Sequence, residues 1–102
     1  MDILDTIKVS PSVIKPQVKQ PSFHRVVMFN DDYTPMEFVV RVLRKVFGMD
    51  DASATRTMMQ IHHEGRSICG RYPRDIAETK VAEVVRMARS QGYPLFCQSE
   101  GA

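Results

Sequence analysis

The stretch FNDDYTPMEF, residues 29–38, joins an apolar run to the start of a new amphipathic pattern. The run that leads into it, FHRVVMFN, is rich in β-branched and aromatic residues and is typical of a strand. After it, Thr34, Pro35 and Glu37 form the pattern of a capping box with proline at the first helical position. The sequence therefore predicts a strand that passes directly into a helix, with Thr34 as the N-cap of that helix.

On the C-terminal side of this junction, further helices and strands are predicted. Apolar residues recur at helical spacing as far as Gly48, and Asp50 or Asp51 can cap a second helix that runs to about His63. We then expect a strand at 66–72, a helix at about 74–91 and a strand at 94–99. The order β-α-α-β-α-β predicts a small α+β domain, in which three helices pack on one face of a three-stranded antiparallel sheet.

The first 22 residues differ from the rest of the chain. They contain Pro11, Pro16 and Pro21, half of the six prolines, and no helical or strand period persists in them. We interpret residues 1–22 as a flexible N-terminal arm ahead of a core domain at 23–102. The arm lacks the basic region followed by an apolar stretch that marks a signal peptide.

The composition excludes several classes of function. A chain of 102 residues has room for one small core, and its net charge of +2 comes from scattered basic residues, which argues against nucleic-acid binding. No apolar run approaches the length of a membrane span. Cys69 and Cys97 lie in apolar strand-like runs and are expected to be buried free thiols in a reducing compartment. We therefore expect a cytoplasmic protein.

The polar residues after the first strand exceed the needs of an ordinary turn. One Asn or Asp suffices to start a turn or to meet a helix N-terminus, but Asn30, Asp31 and Asp32 are consecutive. Two interpretations remain open. The three residues serve only the turn, or they form a cluster that accepts hydrogen bonds from a cation or from a ligand with several donors.

Catalytic chemistry is poorly supported by the same residues. His62 and His63 are neighbours on a helix and point about 100° apart, whereas zinc-binding helices place two histidines at i and i+4. Asp31 and Asp32 are adjacent and tend to splay, and Cys69 lies within a strand. A small metal-dependent hydrolase that uses Asp31, Asp32, His62 and His63 is kept as the alternative. A third hypothesis is an interaction domain in which the NDD stretch is only a turn.

Four motifs together resemble the ClpS family. They are NDDYTPMEFV at 30–39, H-x-x-G-x-x-I-C-G at 62–70, AETK at 77–80 and PL at 94–95, and the match runs from about Phe23 to the C-terminus. ClpS is a bacterial adaptor that delivers N-degron substrates to a Clp AAA+ unfoldase–protease. The resemblance implies an adaptor with no catalytic residues, no metal and no cofactor.

The resemblance also implies a ligand and the residues that bind it. The ligand is a free protein N-terminus that begins with Leu, Phe, Tyr or Trp. Its ammonium group would be bound by Asn30, Asp31 and His62. Met36 matches a gatekeeper position, whose bulk disfavours β-branched first residues. The side-chain pocket implied by the family is lined by Asp32, Thr34, Met36, Val39, Met58, Ile61 and Leu95.

A second surface follows from the resemblance alone. The family docks on the N-terminal domain of a ClpA-like unfoldase through the start of the third helix, which here means Asp75, Glu78 and Lys80. The adaptor would act as a monomer, and its N-terminal arm would reach the unfoldase. Without the resemblance, the same residues would be interpreted as a solvated helix face.

Overall fold

A computed structural model of the chain describes residues 22–101, so most of the predicted N-terminal arm lies outside the described residues. The elements are β1 (Phe23–Phe29), α1 (Met36–Phe47), α2 (Asp51–Glu64), β2 (Arg66–Pro73), α3 (Arg74–Ser90) and β3 (Phe96–Gly101). The predicted order β-α-α-β-α-β is confirmed. The last strand begins two residues later than predicted, at Phe96.

The sheet has the strand order β2-β1-β3, with both pairings antiparallel. β1 is therefore the central strand, and its residues 26–28 are fully buried. Its pairing with β2 contains a bulge, because Val26 lies opposite Gly70 while Val27 lies opposite Ile68. β1 is hydrogen-bonded on both sides up to Phe29, and the polar stretch begins at the next residue.

The three helices pack on one face of this sheet, as predicted, and enclose the core. On α3, Ala77, Val84 and Ala88 are buried, and Val81 is half-buried against them. This agrees with the inward stripe expected from the helical period of the sequence. The buried residues of the other two helices are Phe38, Val39, Val42, Leu43 and Val46 on α1, and Ala54, Met58 and Ile61 on α2.

The start of α2 follows the sequence signals closely. Oδ1 of Asp50 accepts a hydrogen bond from the backbone N–H of Ser53 at 2.8 Å, so Asp50 rather than Asp51 is the N-cap. The helix ends at Gly65, whose φ of 87° requires the left-handed conformation that glycine adopts without strain.

The predicted capping box at the start of α1 is wrong. The helix begins at Met36, Pro35 is the N-cap, and no side chain caps the helix. The carbonyl of Pro35 accepts from the N–H groups of Phe38 and Val39 at 3.0 and 3.2 Å. Thr34 lies one residue further out, and its hydroxyl donates to Asp31 instead. The threonine therefore serves the preceding turn and not the helix.

Both cysteines are buried free thiols, as predicted. Burial raises the pKa of Cys69 and of Cys97 to about 12, because the thiolate is poorly solvated in the core. Among residues 22–101 there is no helix both long enough and apolar enough to cross a lipid bilayer.

Candidate binding site

A cavity of about 200 Å³ lies where β1 ends, between α1 and α2. It contains nine of the ten side chains assigned to the ammonium site and the pocket from the sequence. The tenth, Leu95, is not among the lining residues. It precedes β3, is 1% exposed and belongs to the core. The residues that line the cavity are Asn30, Asp31, Asp32, Thr34, Met36, Val39, Met58, Ile61 and His62.

Helical spacing explains how two helices reach one cavity. Met36 and Val39 are three residues apart in the first turn of α1, so they share a face. Met58, Ile61 and His62 have the spacing i, i+3 and i+4 in the last turns of α2. The cavity is thus formed by the start of one helix, the end of the next and the connection that leads out of β1.

The side chain of Asp31 stabilises that connection through three hydrogen bonds. Its Oδ1 accepts hydrogen bonds from the backbone N–H groups of Tyr33 and Thr34, both at 2.8 Å. Its Oδ2 accepts from the hydroxyl of Thr34, also at 2.8 Å. Asp31 is therefore the residue of the NDD stretch whose side chain serves the turn. A carboxylate has about four lone-pair positions. The three bonds leave one position on Oδ2, together with the negative charge, for a ligand.

Asn30 is placed by a bond between distant parts of the chain. Its backbone N–H donates to the carbonyl of Gly65 at 2.9 Å. Because Gly65 ends α2, this bond ties the end of β1 to the helix end that carries His62. The sequence predicted only that α2 would end near His63. Nothing in the sequence pattern showed that the carbonyl of Gly65 would position Asn30.

The lining changes from polar to apolar with depth. The polar rim consists of Asn30, Asp31, Asp32, Thr34 and His62, all of which are exposed or half-buried. The apolar floor consists of Val39, Met58 and Ile61, which are 7%, 9% and 2% exposed. Met36 is the one apolar lining residue that is exposed, with 42% of its surface accessible. Such a cavity suits a group with an apolar body and a donor-rich polar end.

The geometry gives no support to the metal-dependent hydrolase. Within the part of the chain that the structure describes, no three His, Cys, Asp or Glu side chains come together at metal-binding spacing. The rings of His62 and His63 lie edge to face with centroids 5.3 Å apart, but only His62 lines the cavity. The two histidines therefore do not converge on one point.

A larger groove of about 510 Å³ runs along the outer side of α1. Four of its six lining residues are the charged Glu37, Arg41, Arg44 and Lys45, and its apolar residues Val40 and Met49 are only half-buried. It has no counterpart to the buried apolar floor. The smaller cavity is therefore the better candidate for recognition of an apolar side chain.

The three residues predicted to form the second surface, at the start of α3, differ in their exposure. Asp75 and Glu78 are exposed at the start of α3, and Oε2 of Glu78 lies 3.3 Å from Nε of Arg74. Lys80 is half-buried, and its Nζ donates to the carbonyl of Val46 at 2.9 Å. Lys80 thus satisfies a carbonyl in the last turn of α1, whereas the two acidic residues are accessible to a partner.

Comparison with known proteins identifies the family. Residues 19–98 match the sequence model of the ATP-dependent Clp protease adaptor protein ClpS. The ClpS adapter protein of Shewanella piezotolerans is 51% identical over 89 residues, 87% of each chain, and that of Shewanella halifaxensis is 45% identical over the full length of both. Agrobacterium tumefaciens ClpS2, solved bound to L-phenylalaninamide, superposes with a TM-score of 0.79 at 40% identity, covering 81% of this chain and 100% of that one. The chain belongs to the ClpS family and is an adaptor of a Clp protease rather than an enzyme.

Proposed function

We propose that this adaptor binds the free N-termini of proteins that begin with Leu, Phe, Tyr or Trp and delivers those proteins to a Clp unfoldase–protease. The observation that supports this most directly is the combination of a polar rim and an apolar floor in one cavity. The ligand of the Agrobacterium relative has matching chemistry, because L-phenylalaninamide carries an aromatic side chain and a free amine on one residue.

The rim suits an ammonium group. An α-ammonium has three N–H donors in a small volume and needs clustered acceptors. We assign this role to the side-chain oxygen of Asn30, the remaining lone pair of Asp31 and the neutral imidazole of His62. A protonated His62 would have no lone pair to offer and would repel the ligand. The negative charge of Asp31 strengthens its hydrogen bond to the cation.

The floor suits the first side chain of the substrate. Val39, Met58 and Ile61 offer an apolar surface, and thioethers adapt to both branched and aromatic shapes. Met36 acts as a gatekeeper at the edge, where its bulk disfavours side chains that branch at Cβ. Replacing Met36 with Ala should admit peptides that begin with Ile or Val, as judged by their affinity relative to a Leu-initiated peptide.

Delivery requires the second surface. We propose that Asp75 and Glu78 dock on the N-terminal domain of a ClpA-like unfoldase, while Lys80 holds α1 against α3 behind them. The adaptor acts as a monomer in the cytoplasm, where its two thiols stay reduced, and its N-terminal arm serves as a tether to the unfoldase. Charge reversal at Asp75 and Glu78 should abolish unfoldase binding and leave peptide affinity unchanged.

A peptide series tests the substrate proposal. Peptides X-Ala-Ala-Lys-dye, with X varied over all residues, are compared in free and N-acetylated form by fluorescence anisotropy. We expect tight binding only for free peptides with X as Leu, Phe, Tyr or Trp. Affinity should also fall as the pH rises through the pKa of the ligand amine, about 7.7–8.0. Equal affinity for the free and acetylated Leu peptides would overturn the proposal.

A further inference from the structure

The described methionines differ sharply in their access to solvent. Met36 and Met59 are 42% and 38% exposed, whereas Met28 and Met58 are 0% and 9% exposed. Met49 and Met87 are partly buried against the core. Of the two exposed methionines, only Met36 lines the binding cavity. Met59 is therefore a natural reference for what exposure alone does to a methionine in this fold.

We propose that Met36 is an oxidative modification site, at which peroxide converts the thioether to a sulfoxide and so weakens the binding of apolar first residues. This inference rests on the proposed function. In the reaction, a sulfur lone pair attacks one oxygen of hydrogen peroxide, the O–O bond breaks, and the second oxygen leaves as water after proton transfer. The sulfur is oxidised by two electrons and the peroxide is reduced. Methionine sulfoxide reductases reverse the change.

The position of Met36 explains why peroxide should oxidise it before the other sulfur-containing residue of the cavity. Met36 and Met58 both line the cavity, but Met36 is exposed and Met58 is buried. Cys69 and Cys97 do not compete for the oxidant, because both are buried and their pKa values are raised to about 12, which keeps them protonated and weakly nucleophilic. Among the methionines of residues 22–101, oxidation is therefore expected at Met36 and Met59 first.

The composition of the rim explains why a sulfoxide would harm binding. A sulfoxide oxygen accepts hydrogen bonds and donates none. Asp31 and Asp32 are carboxylates and cannot donate to it, and the one hydroxyl of the lining, on Thr34, donates to Asp31 at 2.8 Å, which leaves the N–H groups of Asn30 and His62 as the donors of the lining. Water can satisfy the new oxygen while the cavity is empty. An apolar side chain would remove that water and place apolar atoms against the oxygen, and this lost hydration should weaken binding on the order of 10-fold or more.

The test compares the full-length wild type with Met36→Leu and Met59→Leu, each before and after treatment with hydrogen peroxide. Peptide mass spectrometry measures the oxidised fraction at every methionine, and anisotropy measures affinity for a Leu-initiated peptide. We expect wild type and Met59→Leu to lose affinity about 10-fold after treatment and to regain it with a sulfoxide reductase. Met36→Leu, whatever its starting affinity, should show no change on treatment.

Two results would overturn the inference. One is unchanged affinity of wild type with Met36 fully oxidised, and the other is the same loss in Met36→Leu as in wild type. Oxidation of Met58 as fast as Met36 would also overturn it, and that measurement needs no ligand. A failure of the proposed function looks different, since the untreated wild type would then not distinguish a free Leu peptide from its acetylated form.

Discussion

The starts of α1 and α2 use the same residue type in two different ways. At α2, Asp50 accepts from the N–H of Ser53, so the carboxylate stabilises the helix that it precedes. At α1, Asp31 bonds to Tyr33 and Thr34, all outside a helix that begins at Met36. Asp50 caps a helix, whereas Asp31 stabilises a turn at the edge of a cavity and retains one free lone-pair position. The difference shows that Asp31 is bound to the turn and not to the helix, which leaves it beside the cavity.

The largest predicted difference is in peptide affinity, between Asp31→Ala and Asp50→Ala. Loss of Asp31 removes three hydrogen bonds and the negative charge proposed to contact the ammonium group, so affinity for a Leu-initiated peptide should fall about 100-fold or more. Asp50→Ala removes only the cap, so affinity should stay unchanged and Tm should fall by a few degrees. Anisotropy and thermal melting measure the two quantities.

Asp31→Asn separates the two tasks of that residue. An asparagine oxygen can still accept from the N–H groups of Tyr33 and Thr34, so the turn should persist while the charge is lost. We expect a folded protein that binds weakly. Equal losses of affinity in the Asp31→Ala and Asp50→Ala variants would break the comparison between the helix starts.

The next effect concerns the other wall of the cavity. His62→Ala should weaken peptide binding on the order of 10-fold, because one acceptor of the rim is lost. His63→Ala is the matched control, since its ring lies 5.3 Å from that of His62 but does not line the cavity. Calorimetric titration of both variants checks this. Similar losses of affinity in the two variants would contradict the proposal that His62 itself accepts a hydrogen bond from the ligand.

A smaller effect is expected at two helix-ending glycines. Gly48 and Gly65 have φ values of 68° and 87°, and a Cβ added at either would meet nothing within 4 Å. Alanine at each should therefore cost a similar backbone strain of about 1–2 kcal/mol. Only the carbonyl of Gly65 accepts from the N–H of Asn30. Both variants should melt earlier, and only Gly65→Ala should weaken binding, by a few-fold. If Gly48→Ala weakened binding as much as Gly65→Ala, the loss of affinity would come from backbone strain and not from the bond between Asn30 and Gly65.

The smallest effect is the pH dependence of the α2 cap. The backbone N–H of Ser53 holds the pKa of Asp50 below the ordinary aspartate value of 3.8. A pKa lowered by folding contributes stability above the unfolded value, and this is lost as the pH falls through the folded value. The difference in Tm between wild type and Asp50→Ala should thus be full at pH 7 and shrink below pH 3.8. A constant difference down to strong acid would show that the cap does not depend on charge.

Local patterns in the sequence predicted the order of the elements, and the family resemblance supplied nine of the residues that line the cavity. Met58, Ile61 and His62 share a helix face in any protein that keeps α2 helical. The capping box at Thr34 failed because the hydroxyl had two possible partners. The pattern alone does not rank the helix N–H groups against Asp31, and the turn geometry decides between them.

Contacts between distant residues were beyond the sequence pattern. The bond from Lys80 to the carbonyl of Val46 spans 34 residues, and no periodicity indicates it. The same holds for the bond between Asn30 and Gly65. Leu95 was assigned to the pocket by family resemblance; it precedes β3, is buried in the core and is not among the residues that line the cavity.

The position of Asn30 directly after the central strand has a consequence for kinetics. A strand with hydrogen-bonded neighbours on both sides opens rarely, and Asn30 is further tied to the end of α2. The backbone that carries Asn30 is therefore in place before any ligand arrives, and under the proposed function little backbone ordering would remain to slow the encounter. We expect N-termini with different first residues to associate at similar rates. Discrimination among them would then be set by how long each stays bound.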